Sequence, residues 1–440
     1  MSTAGTSQAG GSASLDDVLQ QITTSNNPST LNHYLKTFAP KESRDTILAS
    51  TLSSGQDPLS VLDPQSNTLG YLYILSARLH SSLAPTPTLS IIEDFCSQFD
   101  PVQARFAPER VTFLAKGIVR ASESSNNAKY ALASLYSLVT RYPPDLSYLT
   151  TLHAIFLKTC VATRHFTTAL PVLAVPITSV DTTLSDLHYN DNLVYHYAGG
   201  IALGALKRWR EAEEFFEICV SAPAQVPAAI QLEAYKKLVL VQLIQYGETS
   251  SPPKYTHPAL GRQLKASPYG AFVKMYPSRL DALRAFVSKE QELFNQERNT
   301  GLINQAIDRA PVWLIKKLTA TYLTLGLADI GREVGIQSEE DVRAIILDMI
   351  DSGEINATIS ADDTVTFADL VPQFSKDELD RLVVQAQEHN RVLAKVERTI
   401  NASKEYLTKA LKHKDDAGSW GIEEDVFPPG MGASTPWAEE

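Results

Sequence analysis

Apolar residues recur at spacings of three and four along nearly the whole chain up to residue 350, whereas alternating patterns are scarce there. The spacing predicts an almost wholly helical body. Phe166, Ala169 and Leu173 repeat the large, small, large order of Trp209, Ala212 and Phe216, and Leu157 and Cys160 stand where Gly200 and Leu203 stand. This is the layout of a tetratricopeptide-type helical hairpin, in which small residues let two antiparallel helices approach and aromatic rings fill the space beside them. A weaker copy occurs at Ala131, Leu135, Leu138 and Pro143, and the period drifts from 38 to 43 residues, the separations of Ala131, Ala169 and Ala212. Either a degenerate solenoid or a chance coincidence of helical patterns gives such a record; the solenoid is the reading carried forward.

The next helix is bounded by Pro227 and Gly247, and its Ile230 to Ile244 stretch is apolar enough to be deeply buried. Pro252, Pro253, Pro258 and Pro268 mark a loop-rich connection before helices near 278–295 and 301–309. Pro311 is placed to start a helix through Trp313, Ile315, Leu318, Tyr322 and Leu325, turned by Gly326. A short helix from Leu327 to Val334 closes on Gly335, and Ser338 to Asp341 has the form of a capping box ahead of the stripe Val342, Ile345, Ile346, Met349 and Ile350. Ile355, Ala357 and Ile359, a turn at 361–363, then Val365 and Phe367 read as a two-stranded hairpin. Three helices closed by a hairpin make a winged helix. After Pro372, Leu379, Leu382, Ala386, His389, Leu393, Val396, Ile400, Ser403, Leu407 and Ala410 form a heptad seam over about nine turns. The fold class is therefore all-α: a right-handed helical-repeat solenoid, a winged helix with a small β-hairpin, and a long C-terminal helix.

Composition narrows the function. A chain of 440 residues, 44% hydrophobic, has length for about three domains and material for buried cores. No apolar run approaches the roughly 18 residues of a membrane span. Residues 1–14 read as a flexible leader and lack the pattern of a secretory signal. Cys96, Cys160 and Cys219 are too dispersed for a disulfide framework or a zinc knuckle, which points to a reducing compartment, cytoplasm or nucleus. Zinc-helix, phosphate-loop and nucleophile-elbow motifs are missing, so neither metal nor other cofactor is expected. His188 and His196 are two turns apart, and helix-surface placement accounts for them; His389 fits a packed or partner-bonded seam residue better than a ligand. Dispersed catalytic groups leave no local trace, but a solenoid ending in a winged helix offers a surface for partners, and the expectation is a protein that is not an enzyme.

Charge sharpens the choice between protein and nucleic acid. Residues 1–337 hold 29 basic and 28 acidic side chains, whereas 338–440 hold 10 basic and 22 acidic ones. The third helix of the winged helix, where a DNA reader would carry cations, has Glu339, Glu340, Asp341, Asp348, Asp351 and Glu354 against Arg343 alone, and Asp362 and Asp363 follow in the hairpin turn. The rival case rests on the segment from Lys254 to Arg298, with eight basic residues and four acids, which a solvated helical surface explains equally well. The stretch 413–440, with seven acids and no Lys or Arg from Asp415 onward, reads as a disordered tail; Trp420, Phe427 and Trp437 alternatively make linear motifs for a basic, apolar groove.

A helical-repeat body running into a winged helix resembles the PCI-domain family, shared by the proteasome lid, the COP-9 signalosome and translation initiation factor three. Within it, the stretches Leu232 to Ile244, Pro253 to Thr256, Leu318 to Leu325 and Met349 to Ala357 closely resemble the signalosome's third-subunit family, from about residue 190 to 370. The resemblance implies a solenoid over 15–225, the helical part of a PCI domain over 226–310, a winged helix over 311–371 and a bundle helix over 376–412. It also implies a non-catalytic scaffold in the complex that removes the ubiquitin-like modifier Nedd from cullins, with no nucleic acid or membrane partner. The winged helix would join those of sibling subunits, subunits one and eight beside it, through a sheet edge formed by Ile355, Ile359, Thr364, Val365, Thr366 and Phe367. The seam residues Leu379, Leu382, Leu393, Val396, Ile400 and Leu407 would enter a shared helical bundle, the alternative being packing back on the solenoid. A scaffold of the proteasome lid or of the initiation factor, and a nucleic-acid-binding adaptor, remain the other readings.

Overall fold

The structure is a computed structural model that describes residues 14–25, 27–81, 86–278, 280–369 and 375–408. The chain divides into one compact unit up to Ala368 and a C-terminal unit from Asp369. The expected leader lies outside the described residues apart from Ser14, and the expected acidic tail over 413–440 lies wholly outside them.

Helices of the body start where local chemistry tells them to. Asn27, Asp57 and Asp100 each precede a proline, and each side-chain oxygen accepts the backbone N–H two residues on. Proline at the first helical position costs nothing, because its missing N–H would have had no intrahelical partner. Helix Thr151–Ala162 is followed by Phe166–Leu173, and Tyr189–Ala205 by Trp209–Ser221, the expected pairs. The turn between each pair holds one residue in the left-handed region: Arg164 in the first and Lys207 in the second, with Asn126 in the preceding copy, at φ 57°, 59° and 54°. Each is followed by a residue whose N–H bonds the carbonyl five positions back, from His165 to Cys160, Arg208 to Leu203 and Asn127 to Ser122. These turn residues lie 38 and 43 residues apart, the same drift that the apolar pattern shows. Close approach is real as well. A Cβ on Gly200 would stand 2.7 Å from the Phe216 ring, and one on Gly199 2.6 Å from Phe215. One hydrophobic core runs from Val18 to Ala310 through all these helices.

Helix Ala229–Tyr246 is buried as expected, but it carries charge into the interior. Lys236 pairs with Glu233 at 2.6 Å and Glu297 at 2.7 Å; Tyr269 donates to the other oxygen of Glu297. Lys237 donates to Asn299, and burial pulls its ammonium pKa down to about 8. This polar cluster ties the helix to the turn before Thr300, each charge satisfied by a partner. Gln231 plays a similar part, donating to the carbonyls of Cys219, Val220 and Ala222 at the end of the preceding helix. His196, expected on a helix surface, is instead buried, with its Nδ1 2.9 Å from the Asn192 carbonyl and its ring against Tyr195 and Phe215. The three thiols are buried too, and burial pushes those of Cys160 and Cys219 up to about 12.

Buried histidines make the body sensitive to acid. His153 is fully enclosed; its Nδ1 accepts from the Thr150 N–H at 3.2 Å, and burial pulls its pKa from 6.5 to about 4. Burial lowers those of His196 and His80 as well. The unfolded chain therefore binds more protons below pH 6.5, and stability falls as pH drops toward 4. At about 1.4 kcal/mol per pH unit, His153 alone removes about 3 kcal/mol across that window. Glu217, raised by burial and then by Glu213 and Glu214, opposes weakly. Urea melts at pH 7, 6, 5 and 4.5 check this: wild type should lose stability steadily, and His153→Gln, which keeps an acceptor for Thr150, should lose distinctly less.

The winged helix differs from its expected form at its entrance. Pro311 does not start a helix; it lies inside Thr300–Thr319. The lost hydrogen bond to the Ile307 carbonyl, a penalty of about 3 kcal/mol, is outweighed because Ala310, Val312 and Ile315 are all buried on this helix. Ala310 belongs to the core of the body, whereas Val312 and Ile315 belong to a second core shared with Leu327, Ile330, Val342, Ile346, Val365 and Phe367. The helix stops at Thr319, so Tyr322 and Leu325 are not helical; Thr324–Gly326 is a strand. Beyond it, Leu327–Val334 and its Gly335 cap stand as read from the sequence. Ser338 accepts the Asp341 N–H and starts Glu339–Asp351.

Candidate partner interface

Alternation places Ile355, Ala357, Val365 and Phe367 in the second core, where each is buried, with Ile359 packed against it. Strands Asn356–Ile359 and Thr364–Ala368 form the expected hairpin, but Thr324–Gly326 pairs on the far side of Thr364–Ala368. The sheet order makes Thr364–Ala368 the central strand. The expectation that Thr364, Val365, Thr366 and Phe367 form an open edge is therefore corrected: both sides of that strand are taken. Phe367 donates to the Leu323 carbonyl at 2.8 Å, and Leu327 to Asp363 at 2.9 Å.

The hairpin's open edge is Asn356–Ile359. Ser360 donates to the Thr364 carbonyl at 2.8 Å, which sets Thr358–Thr366 and Asn356–Ala368 as the hydrogen-bonded pairs. The N–H and C=O groups of Ala357 and Ile359 then point away from the sheet, where no backbone partner meets them among the described residues. The opposite edge, Thr324–Gly326, is short and flanked by Leu323, which is 81% exposed. Sequence reasoning missed this strand because Leu318, Tyr322 and Leu325 also satisfy helical spacing; the β-branched and aromatic run Thr321 to Thr324 was the available signal.

The seam helix spans Lys376–Ala402, opened by a capping box in which Ser375 accepts from Glu378 N at 3.2 Å and Glu378 accepts from Ser375 N at 2.9 Å. It is shorter than expected. Ser403 leaves the helical region at ψ 137° and caps a further turn, accepting from Tyr406 N at 3.3 Å, so the helix does not run unbroken through 412; residues 409–412 lie outside the described residues. No residue of the helix is buried, and Leu379, Leu382, Leu393, Val396 and Ile400, with Leu407 beyond the break, are between 47% and 66% exposed. Val383, Val384 and Val392 are exposed apolar residues of the same helix away from the seam positions, and His389 is exposed as well.

Charge on the winged helix is partly neutralised within the fold. Glu354 takes a two-pronged pair from Arg309 at 2.8 and 3.0 Å, and Arg343 pairs with Asp363. Glu339, Glu340, Asp341, Asp348 and Asp351 remain exposed without an ion pair among the described residues. No group of metal-ligating side chains gathers among those residues. The arrangement offers an open strand edge and a long apolar helix face, surfaces that pair with other polypeptides.

Known proteins match this architecture in order. The family model "COP9 signalosome complex subunit 3, N-terminal helical repeats" matches residues 31–260, and the PCI domain model matches 275–369. The chain belongs to the COP9 signalosome subunit 3 family. COP9 signalosome complex subunit 3 of Drosophila melanogaster is 30% identical over 405 residues, covering 84% of this chain and 89% of that protein. The subunit 3 of Dictyostelium discoideum is 29% identical over 404 residues, covering 88% and 94%. In this chain the repeat match ends within helix Pro258–Ala266, and the PCI match takes in the helix carrying Pro311 and the whole three-stranded sheet.

Proposed function

We propose that the protein is a non-catalytic scaffold subunit of the COP9 signalosome, acting in cytoplasm and nucleus in the assembly that removes Nedd from cullins. The observation that carries this reading is the seam helix, whose apolar face is unburied along its whole length. Such a face is costly in water unless a partner covers it. The strand edge at Ala357 and Ile359 supplies a second contact, a place for a neighbour to add a strand, with subunits one and eight as the proposed flanking pair. Catalysis belongs to another subunit, because the metalloprotease of the complex needs a His-x-His pair and this sequence has none. The exposed acids of Glu339–Asp351 weigh against a nucleic-acid adaptor, since phosphates would be repelled there. No helix among the described residues is long and apolar enough to cross a membrane.

Purification of the tagged full-length chain from its own cells, with mass spectrometry of what accompanies it, tests the proposal. Other PCI-bearing signalosome subunits are expected in near-equal amount, and nuclease treatment should change nothing. Recovery of proteasome-lid or initiation-factor subunits instead, or recovery that depends on intact RNA, would overturn it.

A further inference from the structure

A groove of about 820 Å³ opens where the helical body meets the winged helix, floored by Leu243, Val273, Tyr276 and Trp313 and edged by Lys316 and Lys317. It is built by close packing. Gly247, at φ 77°, ends helix Ala229–Tyr246, and a Cβ there would stand 2.6 Å from the Trp313 ring. Arg309 and Lys316 lie over that ring at 5.2 and 5.1 Å. Arg309 is already neutralised by Glu354, whereas the ammonium groups of Lys316 and Lys317 are exposed and make no ion pair among the described residues. Glu248 is the one acid in the lining. Two of its lining residues also keep a buried polar atom without a hydrogen-bond partner, Trp313 Nε1 and Gln245 Oε1.

We propose that this groove docks an acidic linear segment of a partner protein, its apolar side chains on the floor and its carboxylates on Lys316 and Lys317. Charge complementarity selects the sign of the occupant, and the apolar floor selects a peptide over a bare polyanion. Nucleic acid fits less well, because two free cations beside Glu248 make a weak phosphate track. None of its lining residues belongs to the seam helix, so the proposal does not depend on what that helix binds.

Fluorescence anisotropy on the full-length protein tests it, with a fluorescein-labelled peptide of alternating Glu and Phe as the probe. The peptide should bind, a matched peptide of Lys and Phe should not, and combined Lys316→Glu and Lys317→Glu should weaken binding at least about tenfold. Lys158→Glu, an exposed charge reversal outside the groove, should leave affinity unchanged, and thermal melts of all variants should coincide with wild type. Absence of binding to wild type, undiminished binding to the double variant, or an equal loss with Lys158→Glu would overturn the proposal. So would tighter binding of poly(U) RNA that is abolished by the same double reversal.

Discussion

A chain ending at Phe374 is expected to melt like the full-length protein and to fail to co-purify with its assembly. Both halves follow from burial. The helix that is removed has no buried residue, and both cores, Val18 to Ala310 and Val312 to Phe367, are made up of residues that precede it. The seam is a different matter. Leu379, Leu382, Leu393, Val396, Ile400 and Leu407 are each about half exposed or more, and covering what remains open on each contributes about 1 kcal/mol. Six such residues give a gross term of about 6 kcal/mol, from which ordering and rigid-body costs are subtracted. A loss of at least about a hundredfold in affinity, roughly 3 kcal/mol, is the expected net effect. Differential scanning fluorimetry and pull-down from cells read the two halves separately. Full co-purification of the truncated chain would remove the seam from the account of assembly.

Two proline substitutions one strand apart should behave oppositely. Val365→Pro takes the N–H that bonds the Leu325 carbonyl out of the central strand and puts a ring into a fully buried site. About 3 kcal/mol or more is lost, the winged helix opens, and every partner contact made through it weakens together. Ile359→Pro instead removes an outward-pointing N–H from the edge strand, where the ladder does not need it. Its cost to folding is the lost packing of a half-buried isoleucine, about 1 kcal/mol, while the neighbour that pairs with this edge should be lost selectively. Circular dichroism melts beside pairwise binding to individual signalosome subunits distinguish the outcomes. Equal loss of all partners in Ile359→Pro, with an unchanged melt, would show that this edge is not a specific contact.

What could be read from the sequence was what local chemistry encodes. The helix Leu327–Val334, its Gly335 cap and the Ser338 start of the next helix need only neighbouring residues to be recognised. The alternation of Ile355, Ala357 and Ile359 with Val365 and Phe367 likewise announces a hairpin and its inner face. Which strand lies in the middle is a different kind of fact, because it depends on Thr324–Gly326, some 40 positions away, and on a helix that ends earlier than its pattern suggests. Thr364 to Phe367, expected as a partner edge, are for this reason on the central strand, with Val365 and Phe367 in the core. Pro311 misled in a similar way: a local breaker yielded to the packing of two cores on one helix. Ser403 erred in the other direction, since a small polar residue sits easily in a heptad pattern yet caps a new turn. The seam itself was legible because its three-and-four spacing is a local periodicity that needs no tertiary partner to be recognised.

Hydrogen exchange of the seam helix, free and in the native complex, tests the central claim most directly. In the isolated protein the amides of Lys376–Ala402 should exchange within seconds to minutes, as expected of a helix without buried contacts. In the assembled complex the same amides should be protected at least about a hundredfold, with Ala357 and Ile359 slowed beside them. Identical exchange of that helix in the two states would contradict the account.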